Sequence, residues 1–136
     1  MEVHGKATAV SLGGVDLEEF GTDFEWSRKA DKHDLTTFAS AAASGAHRYR
    51  GGLLDGTATL TGWYDSALVT GPRAAINTKL GTVQDCVYRP EGQGAGKPQD
   101  NVDVLVEEYT ESSPVADYVK FTVKLQLSDG VVTVAQ

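Results

Sequence analysis

The stretch GQGAGKP, residues 92–98, carries the glycine–lysine spacing from which phosphate loops are built. A Walker loop needs glycine where Glu91 stands and Ser or Thr where Pro98 stands, and it must open a helix whose amides hold the phosphate. The segment meets none of these conditions. The dinucleotide fingerprint fails too, because the glycines fall at 92, 94 and 96 in a chain that does not alternate strand and helix. A turn is the better reading. His33-Asp34, with Asp31 nearby, has the types of a His–carboxylate pair, but a hydrolase would also need a nucleophile on a sharp turn and an oxyanion hole. His4, His33 and His47 show no metal-ligand spacing. Glu107 and Glu108 are strand neighbours pointing to opposite faces, so with Glu111 they make no glycosidase pair. The residues therefore predict no catalytic group, no cofactor and no metal site. One basic–aromatic cluster remains, His47-Arg48-Tyr49-Arg50, of the type that stacks on a nucleobase. In a chain of net charge −7 it reads better as a contact for an acidic neighbouring protein.

Composition narrows the classes further. At 136 residues and 14.5 kDa, with 40% apolar and 23% charged residues, the chain is expected to be one globular domain, 1–136. Twelve Lys and Arg against 19 Asp and Glu argue against a grip on nucleic-acid phosphates. Cys86 is the only cysteine, which excludes an intramolecular disulfide and a cysteine zinc site and leaves it as small apolar filling in a strand. The N-terminal MEVHGKATAVSLGG has no basic region followed by an apolar run, and no stretch reaches the roughly 18–20 apolar residues of a membrane span. Synthesis and folding in a cytoplasm, without membrane binding, are the expectation.

The elements that must position any surface are strands. Val119, Phe121, Val123, Leu125 and Leu127 alternate with polar residues, a half-buried strand. Val102, Val104 and Val106 mark a second, 82–88 a third, and 6–12 a fourth that ends at Gly13-Gly14, with 15–17 returning as a hairpin. Phe24 and Trp26 mark another, and 34–38 and 56–64 two more. Turns rich in Gly, Asp and Ser are expected at Asp55-Gly56, 92–96, 112–114 and Asp129-Gly130. The pattern predicts an antiparallel β-sandwich or barrel with one flanking α-helix. That helix is placed over 70–81, capped by Thr70, opened by Pro72 and closed by Gly81, with Ile76 and Leu80 on its buried stripe and Arg73, Asn77 and Lys79 facing water. Residues 38–52, FASAAASGAHRYRGG, hold alanines and serines but no large apolar stripe, so a helix there would have nothing to bury. They read as a long mobile loop, of a length that is usually functional. In GTATLTGWYD, 56–65, Thr57, Thr59, Thr61 and Trp63 form one face and Ala58, Leu60, Gly62 and Tyr64 the other. Leu60 and Tyr64 are expected in the core, which leaves the threonine face for a neighbouring copy or a channel.

The segments VHGKATAVSLGGVDLEEF, FEWSRKADKHDLTTF, HRYRGGLLDGTATLTGWYD, GPRAAI, YRPEGQGAGKPQD and SSPVADYVKFTVKLQLSDG, taken in order, resemble a major tail (tail tube) protein of long-tailed, non-contractile bacteriophages. The resemblance spans about 3–130. It implies a phage tail tube-like β-sandwich with one flanking helix, and a homo-oligomer whose rings, commonly hexamers, stack into a tube through which DNA leaves the virion without specific binding. It implies tape-measure, tail-tip and tail-terminator proteins as partners, and the virion tail as location. It also implies that the 38–52 loop orders against the neighbouring ring, which makes Phe38, Ser40, Ser44, His47, Arg48, Tyr49 and Arg50 candidate inter-subunit residues. Strand position gives Asp65, Asp103 and Glu107 as candidate lumen-facing acids. The alternatives are a virion decoration or carbohydrate-binding module stacking sugar on Trp63, Tyr64 and Tyr49, or a tail-terminator, head–tail joining or secretion-tube relative.

Overall fold

The computed structural model describes residues 2–66 and 71–136. Seven strands, β1 (Ala9–Leu12), β2 (Val15–Asp16), β3 (Gly21–Asp34), β4 (Tyr49–Trp63), β5 (Val83–Arg89), β6 (Pro98–Ser112) and β7 (Lys120–Ala135), join in one antiparallel sheet ordered β2-β1-β5-β6-β7-β4-β3. Two helices accompany it, α1 (Phe38–Ser44) and α2 (Pro72–Ile76). The mainly antiparallel β architecture follows from the alternation in the sequence. Its strands are longer than expected, and the sheet is single and rolled.

The rolling is visible where strands far apart in sheet order meet. Phe24 on β3 lies 4.9 Å from Tyr88 on β5, ring to ring, and Gly21 N at the start of β3 donates at 2.9 Å to the carbonyl of Leu17, which follows β2. The concave side closes on one core: Val102, Val104 and Val106 from β6, Phe121, Val123 and Leu125 from β7, Ala58 and Leu60 from β4, Val10 and Leu12 from β1, and Cys86 from β5. Burial pushes the Cys86 thiol up to about 12, so it stays protonated packing material. Bulges bend the long strands into this shape. Glu107 is the extra residue where the β6–β7 register passes from Val106 to Glu108. Ser128, Asp129 and Gly130 loop out between the pairs Val104–Leu127 and Val102–Val131. Asp129-Gly130 is thus a bulge within β7 rather than the expected turn, because β6 continues alongside and holds the strand on both sides of it.

Gly62 shows why small residues recur on β4. A Cβ there would meet the Phe121 ring at 2.9 Å and collide with the Phe20 carbonyl, to which the next amide, Trp63 N, donates at 2.9 Å. Helix α2 covers one end of the core with Pro72, Ala75 and Ile76. It starts at Pro72 as expected, with Gly71 as its N-cap; Thr70 lies outside the described residues. The helix ends earlier than expected. Residues Asn77–Lys79 tighten into a 3-10 turn, which throws Leu80 out of the stripe of the fully buried Ile76, and Leu80 is exposed.

Segment 38–52 is not one loop. Thr37 and Ser40 form a reciprocal capping box, Ser40 N donating to Thr37 Oγ1 at 3.1 Å and Thr37 N to Ser40 Oγ at 2.9 Å. Gly45, at φ 68°, closes the C-terminus by donating to Ala41 O at 2.8 Å. Helix α1 buries no residue, so these caps, rather than packing, define it. Strand β4 then begins at Tyr49, and the expected strand over 34–38 is the end of β3 followed by the helix.

Candidate assembly surfaces

Among the described residues, three surfaces have no partner within the chain. The first is an arm. Outside the core, 28–34 of β3 pairs with 49–56 of β4, while pairing of β4 to β7 stops at Thr57. Among the described residues the arm is therefore a two-stranded ladder with α1 at its tip. Two-stranded hairpins are marginal in water, and this one still exposes Leu35, Phe38, Leu53 and Leu54, with Phe38 at 98% and Leu53 at 80%. Polar contacts organise the tip. Asp34 accepts from Thr36 N at 2.9 Å and from Thr36 Oγ1 at 2.5 Å, and lies 3.4 Å from His47 Nδ1. The Thr36 bonds, with His47 adding to them, hold the Asp34 carboxyl below its usual range. Arg48 N donates to Thr36 Oγ1 at 2.8 Å. Lys32 Nζ sits 4.7 Å from the Tyr49 ring centre, and that ring stacks on His47 at 5.9 Å.

All seven residues proposed from the sequence for inter-subunit contact lie on this arm. Phe38 is the open first residue of α1, and His47, Arg48, Tyr49 and Arg50 form the returning edge. Ser40 and Ser44 differ: their hydroxyls serve the helix, Ser40 in the capping box and Ser44 donating to Ser40 O at 3.0 Å. His33 does not pair with Asp34 as its neighbour in sequence; it faces Arg50 across the ladder, and His47 takes Asp34. The sequence reading missed Leu35, Leu53 and Leu54. The signal was GGLLDG, two leucines between glycines with no alternation to assign them to a core.

The second surface is the convex face of β3, β4, β7 and β6. Register lines its side chains into rows across four strands: Asp23-Thr61-Thr122-Thr110, then Glu25-Thr59-Lys124-Glu108, then Ser27-Thr57-Gln126-Leu105. Alternation on β4 is as expected, with Ala58 and Leu60 buried and Thr57, Thr59 and Thr61 outward; Tyr64 is half-buried under the Arg73 guanidinium. Lys124 Nζ reaches Glu108 at 3.6 Å, and Gln126 Nε2 donates to Asp55 at 2.5 Å. Of the acids singled out from the sequence, none stands in these rows. Asp103 lies on the same side of β6 but toward β5, opposite Asp85; Glu107 occupies the bulge; Asp65 follows the end of β4.

The third surface is the end of the molecule opposite the arm tip. Trp63, 40% exposed, meets Tyr118 edge-on at 6.1 Å, and Lys120 Nζ lies 5.1 Å from its ring centre. Asp117 pairs with Lys120 at 3.2 Å; the Tyr118 amide, with Lys120 adding to it, holds the Asp117 carboxyl low. Val115 and Tyr118 of the β6–β7 loop are open to solvent. Tyr49, 14 residues along β4 from Trp63, cannot share a sugar platform with it at about 3.3 Å per residue.

No protein-family model matches the sequence, and no curated protein matches it. Solved structures do. A chain in the tail of an empty gene transfer agent particle, refined with C6 symmetry, superposes with a TM-score of 0.77 at 14% identity, over 98% of this chain and 100% of that one. The SPP1 tail tube gives 0.77 at 11% identity over 99% and 80%. A chain of the sheath-tube complex of an extracellular contractile injection system gives 0.73 at 14% over 99% and 93%. The chain thus has the tail-tube fold that its segments resemble.

Proposed function

We propose that the chain is a structural subunit of a bacteriophage-type tail tube, working by self-assembly and without catalysis. The observation that carries this reading is the fold match over nearly the whole chain to proteins of assembled tails. Copies form rings, hexameric in this proposal, and the rings stack into a channel for DNA in the virion tail. The convex four-stranded face lines the channel. Its threonines are β-forming and weakly polar, tolerable in water before assembly, and they offer phosphates little to bind. Asp23, Glu25 and Glu108 set negative charge among them, which lets a polyanion slide, whereas Lys120 and Lys124 are held near Asp117 and Glu108. Asp103 and Glu107 extend this acid-bearing side along β6, and Asp65 lies past its edge. The arm carries the contact between copies. Tape-measure, tail-tip and tail-terminator proteins are the partners at the tube's interior and ends.

Negative-stain electron microscopy of the purified protein tests the reading. Rings or stacked tubes with sixfold end views are expected. A protein that stays monomeric at every concentration, alone and with tail partners, overturns it.

A further inference from the structure

Aspartate is followed by glycine twice in the chain, at Asp55-Gly56 and Asp129-Gly130. In both pairs the glycine amide donates to the aspartate Oδ1 at 2.8 Å. An amide one residue along the chain can also attack the side-chain carboxyl carbon, because the two close a five-membered ring. Glycine leaves that approach open, since it has no Cβ and its backbone rotates freely. The pairs are alike in sequence and in this contact, and differ in what surrounds them.

We propose that Asp129-Gly130 is a site of spontaneous covalent modification, where the folded chain converts aspartate to isoaspartate, while Asp55-Gly56 stays aspartate. Gly130 N attacks Asp129 Cγ; the new C–N bond forms as the Cγ–OH bond breaks, and the hydroxyl leaves as water with the amide proton. The product is a succinimide. A water molecule then opens it: attack at Cγ restores aspartate, and attack at the main-chain carbonyl leaves isoaspartate, with the chain running through the former side chain. One water is lost and one regained, so nothing else is consumed. The bulge gives the attack room. Ser128, Asp129 and Gly130 are exposed and have no register partner, standing against Asp103 alone. A Cβ built on Gly130 would meet nothing within 4 Å. Departure of the hydroxyl needs a proton, and Asp103, which lines the same depression as Asp129, keeps its proton above the ordinary carboxylate range.

The other pair is clamped. Asp55 and Gly56 stand in the β3–β4 ladder opposite Lys29 and Arg28, and Gly56 is buried. Gln126 Nε2 donates to Asp55 Oδ1 at 2.5 Å and to Gly56 O at 3.1 Å, which fixes both sides of the peptide that would have to rotate. A Cβ on Gly56 would lie 2.9 Å from the Trp26 ring, so that backbone has no space to turn. Isoaspartate at 129 lengthens the β7 backbone by one atom. The bulge takes up the extra atom, because the pairs Val104–Leu127 and Val102–Val131 on either side of it already span three residues against one. The modified chain therefore keeps its fold, and the product accumulates in folded protein. The reaction needs one folded copy and no assembly, so it stands or falls separately from the tube reading.

Peptide mapping of the aged protein tests the site. The full chain is held folded, warm and at neutral pH for several weeks, then cut with a protease that cleaves before aspartate but not before isoaspartate. Mass spectrometry reads each peptide, and isoaspartyl methyltransferase labelling gives a second readout. Isoaspartate is expected at 129, with a succinimide one water lighter, and should form about tenfold or more faster there than at 55, the ratio set when the Gln126 bonds must break before attack. Gly130→Ala should abolish most of it. That variant is expected to fold, because Gly130 does not have a positive φ and its Cβ position is open; circular dichroism checks this. In urea, which removes both the bulge and the clamp, the two rates should converge. Absence of isoaspartate at 129 in the folded chain overturns the proposal, as do equal rates at the two pairs. A difference that persists in urea overturns it too, since it would arise from the flanking sequence and not from the bulge.

Discussion

Asp85 and Asp103 stand directly opposite on β5 and β6, and the β7 bulge brings Asp129 to the same shallow depression. Like charges in facing positions of a ladder are unfavourable, and a proton on Asp103, shared with Asp85, relieves this. Proton sharing with Asp85, then desolvation and the charges of Asp85 and Asp129, raise the Asp103 pKa above the ordinary 3.8. The sign of the linkage follows. Below pH 3.8 folded and unfolded chains both hold the proton, and the contribution is fully present. As pH rises from there through the folded pKa, the unfolded chain releases its proton first, and stability falls. At neutral pH the facing carboxylates remain a residual repulsion. Asp103→Asn should therefore be more stable than the parent at pH 7, with the gap closing below about pH 4. Denaturant midpoints across pH 3–8 check it; a variant less stable at pH 7 would show that Asp103 is needed for the fold rather than tolerated by it.

Helix α1 and the arm behave as elements held by local contacts. A seven-residue helix that buries nothing depends on its caps, and removing a Thr cap costs about 1 kcal/mol of helix stability. Thr37→Ala should therefore melt α1 without moving the global unfolding midpoint, because no core residue depends on it. Amide exchange reads this directly: 41–45 should lose protection in the variant while β6 and β7 keep theirs, and a lowered global midpoint would contradict the independence of the element. This independence also explains which elements were legible in the sequence. β6, β7 and the inner half of β4 announce themselves because one face meets the core at every second residue, as Val102, Val104 and Val106 do. The arm has no core on either side, so 28–34 and 49–55 show Lys, Arg, His and Gly without a period, and their strands were not recognised. In α1 the capping signal, Thr37 with Ser40 three positions on and Gly45 at the end, was present, but judging the segment by what it could bury hid it. The roll of the sheet was not legible either, because it depends on the extra residue at Glu107 and on the three residues 128–130 set against Asp103 alone, which look like ordinary strand and turn residues. Of the candidate surfaces, the arm's basic–aromatic edge and the threonine face stood out by composition. The Trp63–Tyr118 patch did not, because the two residues lie 55 positions apart and only the β4–β7 register, Trp63 against Lys120, joins them.

Across the whole molecule, two electrostatic terms of opposite sign act on association. Each copy carries −7, which repels other copies at long range, while the arm, net +2 over residues 28–55, attracts the rest of the chain, net −9, at contact. Their ranges differ. The screening length is about 30 Å at 0.01 M salt, comparable with the molecule itself, and about 8 Å at 0.15 M, so added salt removes the repulsion between bodies before it removes attraction between touching groups. Burial of the exposed Leu53, Leu54 and Phe38 against a neighbouring copy would not weaken with salt in this range. Assembly followed by light scattering should therefore rise from 0.01 M to 0.15 M salt and persist at 1 M. Arg48→Glu with Arg50→Glu takes the arm from +2 to −2, which turns the short-range term repulsive. That variant should need more salt than the parent to reach the same scattering. Assembly of the parent that is strongest at 0.01 M and dissolves by 0.15 M would mean that ion pairs alone hold the copies together, and that the exposed leucines of the arm are not what the neighbouring copy covers.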